Sequence, residues 1–158
     1  MLEGVRIYEV KKNIDERGFF GELFRTDWKD YFGEDEIVQA NLSVSYPGMI
    51  RAWHRHQRGQ VDYFLVLQGS LKICAYHEET GELNEIINSS EKLQLVRIPG
   101  NYWHGFKSIG SEKAVVIYFV NRLYDYKTPD EERRPWNDPK IIDKKTGVVF
   151  DWNRPPHK

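Results

Sequence analysis

Apolar and polar residues alternate along this chain in short bursts. β-Branched and aromatic side chains gather at residues 5–10, 19–24, 37–45, 61–67, 71–76, 83–87, 93–98 and 114–120, and turn-forming residues separate these runs. Segments of this length and spacing predict the strands of an all-β sandwich or barrel, not the alternation of strands and longer helices found in parallel α/β folds. Within Glu79-Thr80-Gly81-Glu82, Gly81 is placed for the positive φ of a hairpin turn. Helical signals are weak, with residues 26–32 and 129–134 each suited to a turn or two. Residues 135–158 carry Pro135, Pro139, Pro155 and Pro156 and predict an irregular C-terminal wrap around the barrel, anchored by Val148, Phe150 and Trp152.

One run has a sharper pattern. From Val38 to Ser45 the chain alternates strictly, with Val38, Ala40, Leu42 and Val44 on one face and Gln39, Asn41, Ser43 and Ser45 on the other. In a half-exposed strand the polar face meets water. In a barrel with a polar ligand in its lumen, the amides point inward instead. Both readings are open at this point.

Composition narrows the class. A chain of 158 residues with 40% hydrophobic and 14% aromatic side chains suits a single domain, 1–158, with one core. With 23 basic and 24 acidic residues there is no global field to attract nucleic acid or an anionic membrane, so an anionic ligand must be recognised locally. Cys74 is the only cysteine and lies in an apolar run, which excludes an intrachain disulfide framework and predicts a buried thiol. Residues 1–10 lack the pattern of a signal peptide and no apolar run approaches membrane-spanning length, so a soluble, cytoplasmic protein is expected.

Three histidines supply the candidate chemistry. Arg51, His54 and His56 follow the turn at Pro47-Gly48, and His104 follows a second turn at Pro99-Gly100. On a regular strand His54 and His56 share a face, and Arg51 joins them only if a bulge intervenes. Together with Gly48, Gln60 and Gly69 this set resembles the two-part cupin motif, in which histidines of neighbouring strands converge in a jelly-roll barrel. The resemblance implies an all-β, cupin-type jelly-roll barrel with short peripheral helices. The motif's usual metal-binding glutamate is missing, with Gln60 nearest its place, yet His54, His56 and His104 remain an alternative set of metal ligands.

The ordered series Asp15-Glu16-Arg17-Gly18-Phe19-Phe20-Gly21-Glu22, Gln39 to Ser43, Arg51 to His54, Gln60, Pro99 to Phe106 and Tyr118 resembles the dTDP-4-dehydrorhamnose 3,5-epimerase family. That resemblance implies a cofactor-independent, metal-free epimerase of nucleotide-linked 4-keto-6-deoxy sugars, with His54 as general base and Tyr118 as acid. It further implies Arg17 and Arg51 on the diphosphate, Phe20 and Glu22 on the nucleotide, and Gln39, Asn41, Gln60 and His104 on the sugar. A strand near Arg17 to Glu22 is expected to cross to a second copy, making a homodimer. The catalytic pattern departs from the family at two places: Asp62 stands where a lysine is usual, and the family's C-terminal aspartate behind the base has no counterpart. Asp62 is a candidate to orient His54, His56 and His104 are candidate donors to the keto oxygen, and Tyr124 and Tyr126 compete with Tyr118 for the acid. A non-catalytic sugar-nucleotide binding module is the remaining alternative.

Overall fold

The computed structural model of the protein describes residues 1–155, so the last three residues of the expected wrap, 156–158, lie outside the described residues. The strands in chain order are β1 (Arg6–Glu9), β2 (Asn13–Asp15), β3 (Gly18–Phe20), β4 (Gln39–Ser45), β5 (Ile50–Arg55) and β6 (Val61–Gln68). Next come β7 (Ser70–Tyr76), β8 (Leu83–Ser89), β9 (Gln94–Pro99), β10 (Trp103–Ile109) and β11 (Ala114–Val120). Three short strands follow, β12 (Glu132–Arg133), β13 (Ile142–Asp143) and β14 (Val148–Val149). Two five-stranded antiparallel sheets result, ordered β1-β9-β6-β11-β4 and β12-β5-β10-β7-β8, with β2-β3 and β13-β14 as separate ribbons. This is the expected jelly roll.

Alternation explains how each sheet is filled. Phe64, Val66, Val96 and Val116 from the first sheet meet Leu71, Ile73, Ala75 and Phe106 from the second in one buried cluster, which closes one part of the barrel with apolar packing. On the outer face of the first sheet, Tyr63, Leu65 and Leu95 are covered by Tyr31 and Phe32 of the short helix α1 (Lys29–Phe32). On the outer face of the second, Trp53, Cys74, Tyr76 and Trp103 are covered by Ile141, Phe150 and Trp152. The indole nitrogens of Trp53 and Trp152 both donate to the carbonyl of Trp136, at 3.2 and 3.1 Å, tying the C-terminal wrap to β5.

The structure amends three expectations. Residues 129–134 form no helical turn; they run extended along the edge of β5, where Glu132 pairs with Arg55 and Arg133 with His54. The wrap contains the β13-β14 ribbon, and Val148 is 60% exposed, so Ile141 serves as the anchor in its place. Gly81 has the positive φ expected of it, and Cys74 is fully buried. No helix among the described residues is long and apolar enough to cross a membrane.

Candidate active site

Between β4, β11 and β6 on one side and β12, β5 and β10 on the other, the lumen opens into a cavity of about 600 Å³. Its lining sets polar and charged side chains beside Phe64 and Phe106, which also belong to the apolar cluster. Gln39, Asn41 and Ser43 of β4 line it, which decides the alternation in favour of inward amides, and the apolar face of that strand is turned outward with Leu42 67% exposed. Gln39 donates to Asn41 at 2.8 Å, and its amide oxygen accepts from the backbone N–H of Tyr124 at 3.0 Å, so both amides are held in place.

A bulge brings Arg51 and His54 to the same cavity. Along the pairing of β10 with β5, Phe106 opposes Arg51, Gly105 opposes Ala52 and His104 opposes His54, so Trp53 is passed over and the register slips. Trp53 then packs into the outer aromatic cluster with Ala52 against it, while Arg51 and His54 line the cavity. The slip needs close backbone contact. A Cβ on Gly105 would lie 2.4 Å from the Cβ of Ala52 and 2.6 Å from the carbonyl oxygen of Arg51, so only glycine fits.

His54 is oriented by a residue that the sequence pattern did not single out. Its Nδ1 lies 2.7 Å from Oε1 of Glu131. Because an ionised carboxylate only accepts, Nδ1 carries the proton and Nε2 is left with its lone pair. Burial, reinforced by His104, holds the His54 pKa below its ordinary value against the pull of Glu131. Burial acts to raise the pKa of Glu131, but Arg133 and His54 outweigh it and keep that carboxylate ionised. The result is a neutral imidazole with a fixed tautomer, suited to accept a proton.

Asp62 does not orient His54. It is buried, and its Oδ2 lies 2.9 Å from Nε2 of His104 and 3.6 Å from Nε2 of His56, while Oδ1 accepts from Gln60 at 2.9 Å. Nδ1 of His104 faces the carbonyl of Tyr102 at 2.9 Å, so this ring sits between two acceptors. His56 is bonded through Nδ1 to the carbonyl of Asp130, and Nε2 lies 3.1 Å from the amide nitrogen of Gln60. Burial works against charge on His56, but Asp62 and the Asp130 carbonyl outweigh it and raise its pKa. Burial would likewise raise the pKa of Asp62, and the two histidines hold it well below the usual carboxylate range. With their ring nitrogens engaged, His56 and His104 are not free donors to a keto oxygen.

The alternative metal site changes accordingly. The side chains whose ligand atoms converge, all within 4.8 Å of one another, are His56, Asp62 and His104. His54 is outside this cluster, its ring centroid 6.5 Å from that of His104.

Tyr118 lies on β11 between Asn41 of β4 and Phe64 of β6, and its ring packs 5.7 Å from that of Phe64 at the cavity wall. Burial, with Asp62 and Glu131 nearby, raises its pKa, so the phenol remains protonated at neutral pH. Tyr124 also reaches the cavity, whereas Tyr126 is 88% exposed and does not.

Arg51 lines the cavity and donates to Oγ of Ser45 at 3.1 Å and to the carbonyl of Val44 at 3.2 Å. Both partners are uncharged, which leaves the guanidinium charge available to an anion. Gln60 and His104 line the cavity as well. Arg17, Phe20 and Glu22 do not: they belong to the exposed β2-β3 hairpin and the residues after it, where Arg17 pairs with Asp15, Glu22 pairs with Arg25 and Phe20 is 66% exposed.

Comparison with known proteins gives a consistent result. Residues 13–132 match the family described as the polysaccharide biosynthesis C-terminal domain. The chain is 38% identical to the probable low-salt glycan biosynthesis epimerase of Haloferax volcanii, over 99% of this chain and 97% of that protein. It is 30% identical to the dTDP-4-dehydrorhamnose 3,5-epimerase of Methanothermobacter thermautotrophicus, over 89% of this chain and 78% of the relative. Among solved structures, the dTDP-6-deoxy-D-glucose-3,5-epimerase of Legionella pneumophila in complex with dTDP-4-keto-L-rhamnose superposes with a TM-score of 0.78 at 28% identity, covering 89% of this chain and 78% of that one.

Proposed function

The chain belongs to the polysaccharide biosynthesis C-terminal domain family and to the dTDP-4-dehydrorhamnose 3,5-epimerases, and from that membership we propose that it inverts carbon centres next to the keto group of a nucleotide-linked 4-keto-6-deoxy sugar by His/Tyr acid–base catalysis. The observation that carries this reading is the placement of the two groups. His54 stands on β5 of one sheet and Tyr118 on β11 of the other, and both line the same cavity. A sugar ring lying between the sheets has a base on one face and an acid on the opposite face.

Nε2 of His54 removes the proton beside the ketone, and Glu131 steadies the imidazolium that forms. The electron pair delocalises onto the keto oxygen, and the protonated phenol of Tyr118 returns a proton from the other side. Arg51 holds the diphosphate, and Gln39, Asn41 and Gln60 meet the sugar hydroxyls. Arg17, Phe20 and Glu22 reach the nucleotide from the hairpin of a second copy in a homodimer, which accounts for apolar side chains exposed on a ribbon remote from its own cavity.

The test is solvent exchange on dTDP-4-keto-6-deoxyglucose in deuterated water. His54→Asn is expected to bind but to lose deuterium uptake beside the ketone. Tyr118→Phe is expected to keep uptake and lose the inverted product. Full exchange in His54→Asn refutes the assignment.

The convergence of His56, Asp62 and His104 favours a second reading, in which these residues hold a divalent cation. Such an ion would supply Lewis acidity to the keto oxygen, the task that the family's lysine performs where this chain has Asp62. A stoichiometric metal in protein purified without added metal, with exchange abolished by a chelator, would establish it.

A further inference from the structure

The arginines that line the cavity are not equally engaged. Arg133 is paired with Glu131, and Arg134 with Glu78 and Asp138. Arg51 has only the uncharged partners Ser45 and Val44. Arg122 has neither a hydrogen bond nor an ion pair among the described residues. Its Nη2 lies over Gly59, 3.7 Å from where a Cβ would stand on that residue. The backbone that bears it is fixed by its neighbour: Asn121 accepts from the N–H of Val61 at 2.7 Å and donates to the carbonyl of Gly59 at 3.2 Å.

Strand register sets Arg51 and Arg122 at opposite ends of the cavity. On β11, Ala114 opposes Ser45, Tyr118 opposes Asn41 and Val120 opposes Gln39. Arg51, bonded to Ser45, therefore marks the Ala114 end, and Arg122, which follows Val120, marks the other, with Tyr118 between them. Asp62 opposes Val120 across β6 and lies at the Arg122 end.

We propose that Arg122 is a catalytic residue that contacts the keto oxygen and stabilises the enolate. The inference rests on the epimerase reading, with the diphosphate held by Arg51. In a pyranose, the carbon that bears the diphosphate and the 4-keto carbon are opposite corners of the ring. With the diphosphate at the Arg51 end and the ring between His54 and Tyr118, the keto oxygen points to the Arg122 end. When the C–H bond beside the ketone breaks, its proton passes to Nε2 of His54, its electron pair forms the C=C bond of the enolate, and the carbonyl π pair moves onto oxygen. Negative charge grows at that oxygen, where a cation aimed in advance lowers the barrier. The other groups there are committed: Asp62 is itself an anion, His104 and His56 face it at 2.9 and 3.6 Å, and Nε2 of Gln60 donates to it at 2.9 Å. Arg122 is exposed, and a sugar ring seated against it excludes water and strengthens its hold on the oxyanion.

The test compares Arg122→Ala, Arg122→Lys, Arg51→Ala and Arg58→Ala in buffer containing a chelator. The readouts are kcat and KM for deuterium exchange on dTDP-4-keto-6-deoxyglucose and calorimetric affinity for dTDP, which lacks the ketone. Arg122→Ala should lower kcat for exchange by about tenfold to a hundredfold while dTDP affinity stays within about twofold. Arg122→Lys keeps a cation and should recover part of the rate. It also carries the test if the alanine variant fails to fold, with a loss of kcat still expected because lysine lacks the planar fork. Arg51→Ala should do the reverse and lose dTDP affinity. Arg58, an exposed cation outside the cavity lining, should be replaceable by alanine with kcat within about twofold. The proposal is overturned if kcat is unchanged in folded Arg122 variants, if Arg122→Ala loses dTDP affinity as Arg51→Ala does, if Arg58→Ala loses as much rate, or if the chelator alone abolishes wild-type exchange. Wild-type protein that exchanges no deuterium without chelator would instead sink the epimerase reading, and this inference with it.

Discussion

Replacing Asp62 by Asn tests the electrostatics of the buried cluster, and its cost should depend on pH. Asp62 sits at 2% exposure with His104 at 2.9 Å, His56 at 3.6 Å and Gln60 at 2.9 Å, so asparagine fits the space but removes the anion. In the wild type the pKa of Asp62 is depressed, so its stabilisation is complete above the ordinary value of 3.8 and is lost as pH falls through the folded value. The pKa of His56 is raised, so its contribution is complete below the ordinary value of 6.5 and fades as pH rises through the folded value. Both contributions are present at about pH 5, between those two ordinary values. Removing the carboxylate there strands buried positive charge and should cost about 3–5 kcal/mol. Near pH 8 the His56 ring can shed its Nε2 proton and accept from the new amide, which reduces the cost to about 1 kcal/mol. Urea unfolding of both proteins at the two pH values, in buffer containing a chelator, measures the difference. Equal costs at both would show that Asp62 is not the counterion of His56.

Three further outcomes follow from contacts elsewhere in the structure. Arg51→Ala and Arg17→Ala should each weaken dTDP binding by about 1.5–3 kcal/mol, the range for hydrogen bonds to charged groups, as read by calorimetry. For Arg17 the loss depends on a second copy, so a monomer at micromolar concentration by light scattering, with binding intact, would reject the homodimer. Trp152→Ala empties a fully buried site against Trp53 and Phe150 and should lower stability by about 3–5 kcal/mol in thermal or urea unfolding, and a loss under about 1 kcal/mol would show that the wrap is not part of the core.

Where periodicity and chemistry agreed, the sequence was informative. The run 114–120 matches β11 residue for residue, and the alternation of β4 separated an amide face from an aliphatic one, leaving it to the lumen to decide which points inward. Arg51 beside His54 was legible only as a condition, because a bulge is a property of two strands and Gly105 lies a third of the chain away from Ala52. Glu131 was missed because Asp130-Glu131-Glu132-Arg133-Arg134 reads as a charged, solvated turn, and nothing local marks one of its acids as folded onto a histidine 77 positions earlier. Asp62 was conspicuous as a departure from the family pattern, but its partners His56 and His104 come from the side of the opposite sheet, which only the closed barrel brings together. The same holds for Val148, whose place in a two-residue strand turns it to solvent while Ile141 takes the buried position.

The single residue skipped at the bulge makes Trp53 and His54 behave as two sides of one hinge pin. The indole is packed in its outer socket, and the close approach of Gly105 to Arg51 and Ala52 couples that socket to the aim of His54. Damage to the tail would therefore register in the aim of the imidazole as well as in the stability of the fold. Selection for turnover alone would then preserve aromatic residues that never touch a sugar.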